Sequence, residues 1–214
     1  MQEPTRIIAI RHGETAWNAG QRMQGHLDIP LNEQGLWQAA QLGAALADED
    51  IVAVYSSDLL RARCTAEAFA LPLQLPLTLS EGLRERCFGE FEGCTYDEIA
   101  ARWPDAALRW RARDPGFAPA GGESLVDFFV RCVGEVARVA AGHAGQTIAV
   151  VAHGGVLDCL YRAATGLALD APRTWMLGNA AINRLMRHDQ GWALVGWNDD
   201  RHLARPPSDE TLTA

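Results

Sequence analysis

Long apolar runs are missing from this 214-residue chain. No stretch approaches the roughly 20 residues that span a bilayer, and Met1–Arg6 lacks the apolar core of a signal peptide, so a cytoplasmic protein without membrane contact is expected. A basic excess is missing too. The formal net charge is -8, the opposite of the positive balance with which nucleic-acid surfaces neutralise phosphate, and no nucleic-acid partner is expected. Cysteine pairing is absent as a pattern. Cys64, Cys87, Cys94, Cys132 and Cys159 are odd in number and scattered, with no C-x-x-C. That suits free thiols in a reducing compartment and signals neither a disulfide frame nor a zinc knuckle. No internal repeat is visible. What is present is an ordinary globular composition, 48% hydrophobic and 21% charged with a mean hydropathy of -0.09. The length fills one domain and falls short of two.

The run Ile7-Ile8-Ala9-Ile10 reads as a buried strand that stops at Arg11-His12-Gly13, and Thr147 to Ala152 repeats the device, stopping at His153-Gly154-Gly155. Residues 51–55 and 77–79 read as further strands, and 180–186 with 192–197 as a hairpin around Asp189-Gln190-Gly191. Between them the spacing predicts a helix from Asn32 as N-cap to about Glu49, another over 59–70 behind Ser56-Ser57-Asp58 as caps, two short helices over 95–102 and 105–113, and helices over 123–141 and 156–165. Residues 15–30, 83–93 and 114–122 read as loop or irregular connection. Strands alternating with helices predict a three-layer α/β/α sandwich, its central sheet mostly parallel with an antiparallel edge, and with a small helical lid insertion at roughly 86–122. Residues 1–203 form one domain in this reading, and 204–214 a loose tail.

In an open α/β sheet, ligands bind at the carboxyl ends of the strands. Those ends deliver Arg11, His12 and His153, while Arg61 falls in the first turn of a helix and Glu85 just after the third strand. A cation in a helix's first turn is unfavourable unless an anion binds there. Two histidines, two arginines and one carboxylate meeting at one sheet edge describe a phosphoryl-transfer site that needs no metal. An imidazole attacks phosphorus, guanidiniums neutralise the phosphoryl oxygens, and one carboxyl serves the leaving group and then the incoming water. Singly, each residue has a plainer reading: a strand-end histidine is ordinarily a hydrogen-bonded structural group, Arg61 a solvated helix residue and Glu85 a surface carboxylate. His26, His143, His188 and His202 take the structural reading. Arg109, Arg111 and Arg113 read as a solvated helical face. Trp103, Trp110 and Phe117 fit either a substrate mouth or the packing of the lid onto the body.

Arg11-His12-Gly13-Glu14-Thr15, followed by Trp17-Asn18, resembles the signature of the histidine phosphatase superfamily, also called phosphoglycerate-mutase-like. The segments 31–35, 56–63, 83–85, 88–93 and 122–124, then His153-Gly154-Gly155, follow in that family's order, so the resemblance spans nearly the whole chain. It implies His12 as phosphorylated nucleophile, Glu85 as proton donor, and Arg11, Arg61 and His153 as the phosphate pocket. It implies Asn18 and the Gly154 amide as further donors, and Thr15, Gln24, Gly25, Arg63 and Arg86 as substrate-side positions. Neither metal nor cofactor is implied; the partner is a small phosphorylated metabolite, and a homodimer is left open. Cofactor-dependent mutases carry a lysine shortly after the corresponding segment, and Gly93-Cys94-Thr95-Tyr96 has none. Gly122-Glu123-Ser124 resembles the phosphatase branch. The expectation is a metal-independent phosphomonoesterase working through phosphohistidine. A cofactor-dependent phosphoglycerate mutase is the alternative, for which Arg86 speaks, and a phosphate-binding module without turnover comes third, since both His12 and Glu85 are present.

Overall fold

A computed structural model describes residues 3–204; the tail expected at 204–214 lies, Ala204 apart, outside the described residues. The apolar runs form six strands: β1 (Thr5–Arg11), β2 (Ile51–Ser57), β3 (Leu77–Ser80), β4 (Thr147–Ala152), β5 (Ile182–His188) and β6 (Gly191–Asp199). The intervening segments form the helices α1 (Ala16–Ala19), α2 (Glu33–Ala45), α3 (Leu60–Ala70), α4 (Tyr96–Arg102), α5 (Pro104–Arg111), α6 (Leu125–Ala140) and α7 (Gly154–Thr165). One sheet runs in the order β3-β2-β4-β1-β5-β6. The first four in that order are parallel, and β5 and β6 add the antiparallel edge.

Successive side chains of a strand point to opposite faces, and that period splits each apolar run between two layers. Ile7, Ala9, Ile148 and Val150 pack with Phe128, Cys132 and Val136 of α6 and Val156 and Leu160 of α7. Ile8, Ile10, Ala149 and Val151 pack instead with Leu42 of α2 and Ala62, Ala66 and Phe69 of α3. A sheet covered on both faces needs strands without interior polar residues, and β4 is buried at every position. The three-layer α/β/α sandwich follows.

The departures from the sequence reading have local causes. α1 lies inside the stretch read as loop, a single turn with no buried residue, held by a capping box between Thr15 and Asn18. α2 stops at Ala45 rather than near Glu49: Leu46 is its C-cap, and the chain goes on as a turn in which the Glu49 amide donates to the Leu46 carbonyl. α3 starts without a side-chain cap: Asp58 is gripped by the Arg84 guanidinium through both oxygens, and the Leu60 amide donates to Asp28 instead. Within 86–122, Phe91, Ile99, Ala107 and Phe117 form a small cluster of their own with Met23. Trp103 and Trp110 lie against the Phe91 ring, so these aromatics pack the segment together. Arg113 is not on a solvated face; at φ +53 its guanidinium donates to the Leu169 carbonyl and the Asp158 carboxylate.

Two features of the fold aim the strand ends. Arg11 on β1 pairs with Ala152 on β4, so the next residues, His12 and His153, leave neighbouring parallel strands side by side. The backbone after His12 is then clamped to the start of α2. Asn32 caps that helix at the Gly35 amide and donates to the Glu14 carboxylate, while Gln38 accepts the Glu14 amide. The approach is so close that a Cβ on Gly35 would stand 2.0 Å from the Glu14 carbonyl oxygen.

Gly35→Ala must push this backbone apart, and its expected cost is about 1–3 kcal/mol, read as a lower urea midpoint. Gly43→Ala, on the same helix with nothing within 4 Å of its Cβ, is expected to raise stability by about 0.5–1 kcal/mol through helix propensity. Equal effects at the two positions contradict the clamp.

Candidate active site

His12, 3% exposed, holds its Nδ1 2.7 Å from the carbonyl oxygen of Gly13. A carbonyl only accepts, so Nδ1 carries the proton and Nε2 presents its lone pair. Burial first, then the charges of Arg61 and Arg11, lower the His12 pKa well below its ordinary value, which leaves the ring uncharged at neutral pH. The fully buried His153 ring lies 5.1 Å from it, centroid to centroid. Burial, followed by Arg61, His12 and Arg11, lowers the His153 pKa in the same direction.

The cations come from different layers. Arg61, in the first turn of α3, is buried and donates from its two terminal nitrogens to the Leu27 and Gly25 carbonyls at 2.9 and 2.8 Å. Burial lowers its pKa to about 10, opposed by the charges of Glu85, Asp28 and Glu92, so it stays charged at neutrality. Arg11 donates to the Leu177 carbonyl. The Nε atoms of both arginines and both ring nitrogens of His153 are buried without a hydrogen-bond partner among the described residues. A buried donor left unpaired costs roughly 1–3 kcal/mol, and here several belong to residues whose charges act on His12 or whose ring lies beside it. The donor set fits a tetrahedral oxyanion. α7 begins at Gly154 without a cap from the His153 side chain; the Gly155 amide goes to Glu85, which leaves the Gly154 amide and the helix's positive end to the same anion.

Glu85 accepts the Gly155 amide on Oε2 at 3.0 Å and the Arg86 amide on Oε1 at 2.9 Å. Each carboxylate oxygen keeps acceptor capacity beyond those bonds. A Cβ on Gly155 would stand 2.2 Å from Oε1, so the second glycine after His153 is what admits the carboxylate to the helix start. The charge of Glu85 acts on both Arg11 and Arg61, which places all five residues in one electrostatic cluster.

The remaining expected positions divide. Asn18 accepts the Thr15 amide on Oδ1, leaving its Nδ2 as the donor; Gln24 is buried with Oε1 unpartnered; Gly25 shapes the loop whose carbonyl holds Arg61. Three residues do other work. Thr15 is the fully buried N-cap of α1. Arg63 is exposed and pairs with Glu67 one turn along α3. Arg86 buries its guanidinium over Trp110 and donates to the Glu123 and Phe117 carbonyls, which packs the 86–122 segment, while the Glu85 charge acts on it as well. Sequence reading missed Asn179, whose side-chain amide donates to the His12 carbonyl at 2.9 Å; nothing in its surroundings in the chain marks it. His26, read as structural, donates from Nε2 to the Glu85 carbonyl at 2.8 Å.

A histidine held uncharged in the fold but free to protonate when unfolded costs nothing above its unfolded pKa of about 6.5, and destabilises the fold increasingly as pH drops below that value. The urea midpoint is therefore expected to fall between about pH 7.5 and 5.5, and His153→Gln to flatten that fall. A pH dependence untouched by the substitution contradicts the lowered pKa values.

Residues 7–200 match the profile of the histidine phosphatase superfamily, branch 1. The chain is 38% identical over 202 residues to phosphoglycerate mutase-like protein 4 of Arabidopsis thaliana, covering 92% of this chain and 86% of that one. It is 37% identical over 205 residues to the metal-independent phosphoserine phosphatase of the same organism, covering 94% and 84%. Among solved structures, a mycobacterial glucosyl-3-phosphoglycerate phosphatase in complex with VO3 superposes with a TM-score of 0.82 at 35% identity, over 91% of this chain and 99% of that one. With two strand-end histidines, two inward guanidiniums and this span of similarity in hand, the chain belongs to the histidine phosphatase superfamily.

Proposed function

We propose that this protein hydrolyses phosphate monoesters of small metabolites through a phosphohistidine at His12. The observation that carries the reading is the uncharged His12 imidazole, its Nε2 lone pair free, beside two guanidiniums whose Nε atoms have no partner among the described residues. In the first half-reaction Nε2 attacks phosphorus, the ester P–O bond breaks, and Glu85 gives its proton to the departing oxygen. Arg11, Arg61, His153, the Asn18 amide and the Gly154 amide receive the phosphoryl oxygens, and their fixed positions avoid reorganisation at the moment of transfer. In the second, water attacks the phosphohistidine, Glu85 takes the water's proton, the P–N bond breaks and inorganic phosphate leaves. The guanidiniums supply the charge neutralisation that magnesium supplies in other phosphoryl-transfer enzymes.

Hydrolysis is favoured over the mutase reaction by particular residues. The chain contains no lysine at all, and Arg86, the residue that spoke for a mutase, is buried in packing. α-Ribazole phosphatases stand among the similar structures at 27% and 28% identity, while phosphatases at 37% and 35% are named for phosphoserine and glucosyl-3-phosphoglycerate. Both are phosphate esters of hydroxy acids, which puts that class first among candidate substrates, with the 86–122 lid setting the choice within it. We place the reaction in the cytoplasm, where the five free cysteines suit a reducing compartment; no helix among the described residues is long and apolar enough to cross a membrane.

Purified protein is expected to release inorganic phosphate from a panel of phosphomonoesters in the presence of EDTA, with phosphorylated hydroxy acids leading the kcat/KM ranking. His12→Ala is expected to lower kcat by at least about 10³-fold. Activity that depends on added divalent metal, or transfer that needs 2,3-bisphosphoglycerate, contradicts the reading.

A further inference from the structure

Glu85 belongs to no helix or strand. It follows a short 3₁₀ turn at Glu81–Leu83 and leads into the 86–122 segment. A misplacement of about 1 Å at a reacting group can cost on the order of 10²-fold in rate, so a carboxyl on an irregular segment works only if its backbone is tied down.

Beside the His26 bond to the Glu85 carbonyl, the tie is made by one arginine on α6. Arg131 donates from Nη1 to the Gly82 and Arg84 carbonyls at 3.0 and 3.1 Å, and from Nη2 to the Glu85 carbonyl at 3.1 Å. The same guanidinium grips Glu123 through both carboxylate oxygens, each at 2.8 Å. Glu123 then completes the loop's attachment on the far side. Its Oε2 accepts the Cys87 amide at 2.9 Å, its own amide donates to the Cys87 carbonyl at 2.9 Å, and its carbonyl accepts Arg86 Nε at 2.9 Å. The backbone is thus held before Glu85, at Glu85 and after it by one ion pair. Only a planar fork reaches carbonyls and a bidentate carboxylate at once; a lysine ammonium has no such geometry. These bonds occupy the Arg131 guanidinium on groups other than those facing His12.

We propose that Arg131 and Glu123 are positioning residues for the leaving-group proton, setting where the Glu85 carboxyl stands and acting on the reaction only through it. The proposal rests on Glu85 being the proton donor. It has a consequence that a merely structural pair lacks. A proton donor matters in proportion to the basicity of the leaving oxygen: 2,4-dinitrophenolate departs without a proton, and an alkoxide does not. Loss of the tie is therefore selective by substrate.

The test compares kcat/KM for 2,4-dinitrophenyl phosphate and glycerol phosphate in wild type, Arg131→Gln, Arg131→Lys, Glu123→Gln and Glu85→Gln, with melting temperatures recorded alongside. For Arg131→Gln and Glu123→Gln the expected loss is on the order of 10²-fold on glycerol phosphate and within about threefold on the dinitrophenyl ester, the same selectivity that Glu85→Gln shows. Arg131→Lys, which keeps the charge without the fork, falls between, and with Glu123→Gln it carries the test if Arg131→Gln does not fold. Selective loss in Glu85→Gln but equal losses on both esters, or no loss on either, in the Arg131 and Glu123 variants overturns the positioning role alone. Equal losses in Glu85→Gln itself overturn the proton-donor reading, and the positioning role falls with it.

Discussion

The hydrogen bond from His12 Nδ1 to the Gly13 carbonyl decides which nitrogen of the ring keeps a free lone pair, and the backbone that carries this carbonyl is tied to two helices. The Gly13 amide donates to Thr65 on α3, and the Thr65 hydroxyl donates in turn to the carbonyl of Arg61. The helix that carries Arg61 therefore also holds the loop that orients the His12 ring. On the other side, α2 presses its Gly35 against Glu14. Two helices of one layer thus hold the Gly13–Glu14 backbone, and the β1–β4 register brings His153 beside it from the neighbouring strand.

Charge gives this corner its purpose and its cost. Burial opposes the ionised forms of Arg11 and Arg61 and of both histidines. The molecule resolves that conflict unevenly: the imidazoles stay neutral, while the guanidiniums stay charged with backbone carbonyls and Glu85 as partial compensation. An anion with several oxygens completes what the protein leaves open, which is how a functional site comes to carry local features that stability alone would not select. The same division explains the chemistry proposed for it, since a neutral ring is a nucleophile and a charged guanidinium is not.

Much of the fold was legible in the chain because it rests on periodicity. The apolar runs of β1 and β4 and the stripe of α6 are strong signals, and the sandwich follows from their order. The edges that were misread depend on single contacts that periodicity does not carry: the Glu49–Leu46 turn that follows α2, the Asp28 side chain replacing the expected caps at α3, and one capping box making α1. That His12, Glu85, Arg11, Arg61 and His153 lie near one another was legible through their motifs and strand ends. Among the outer ones, Arg63 engages Glu67 and Arg86 two carbonyls that lie far off in sequence, contacts that no local motif shows. Asn179 and Arg131 were missed for the same reason, since their importance lies in what the fold brings them against.

The claim that everything else depends on is covalent, and the most direct measurement of it is a rapid quench of the enzyme with a ³²P-labelled monoester, followed by peptide mapping. The account predicts a label that is lost in acid and retained in base, located on the peptide containing His12 and absent from His12→Ala. A label that survives acid, sits on another residue, or never forms while phosphate is being released contradicts it.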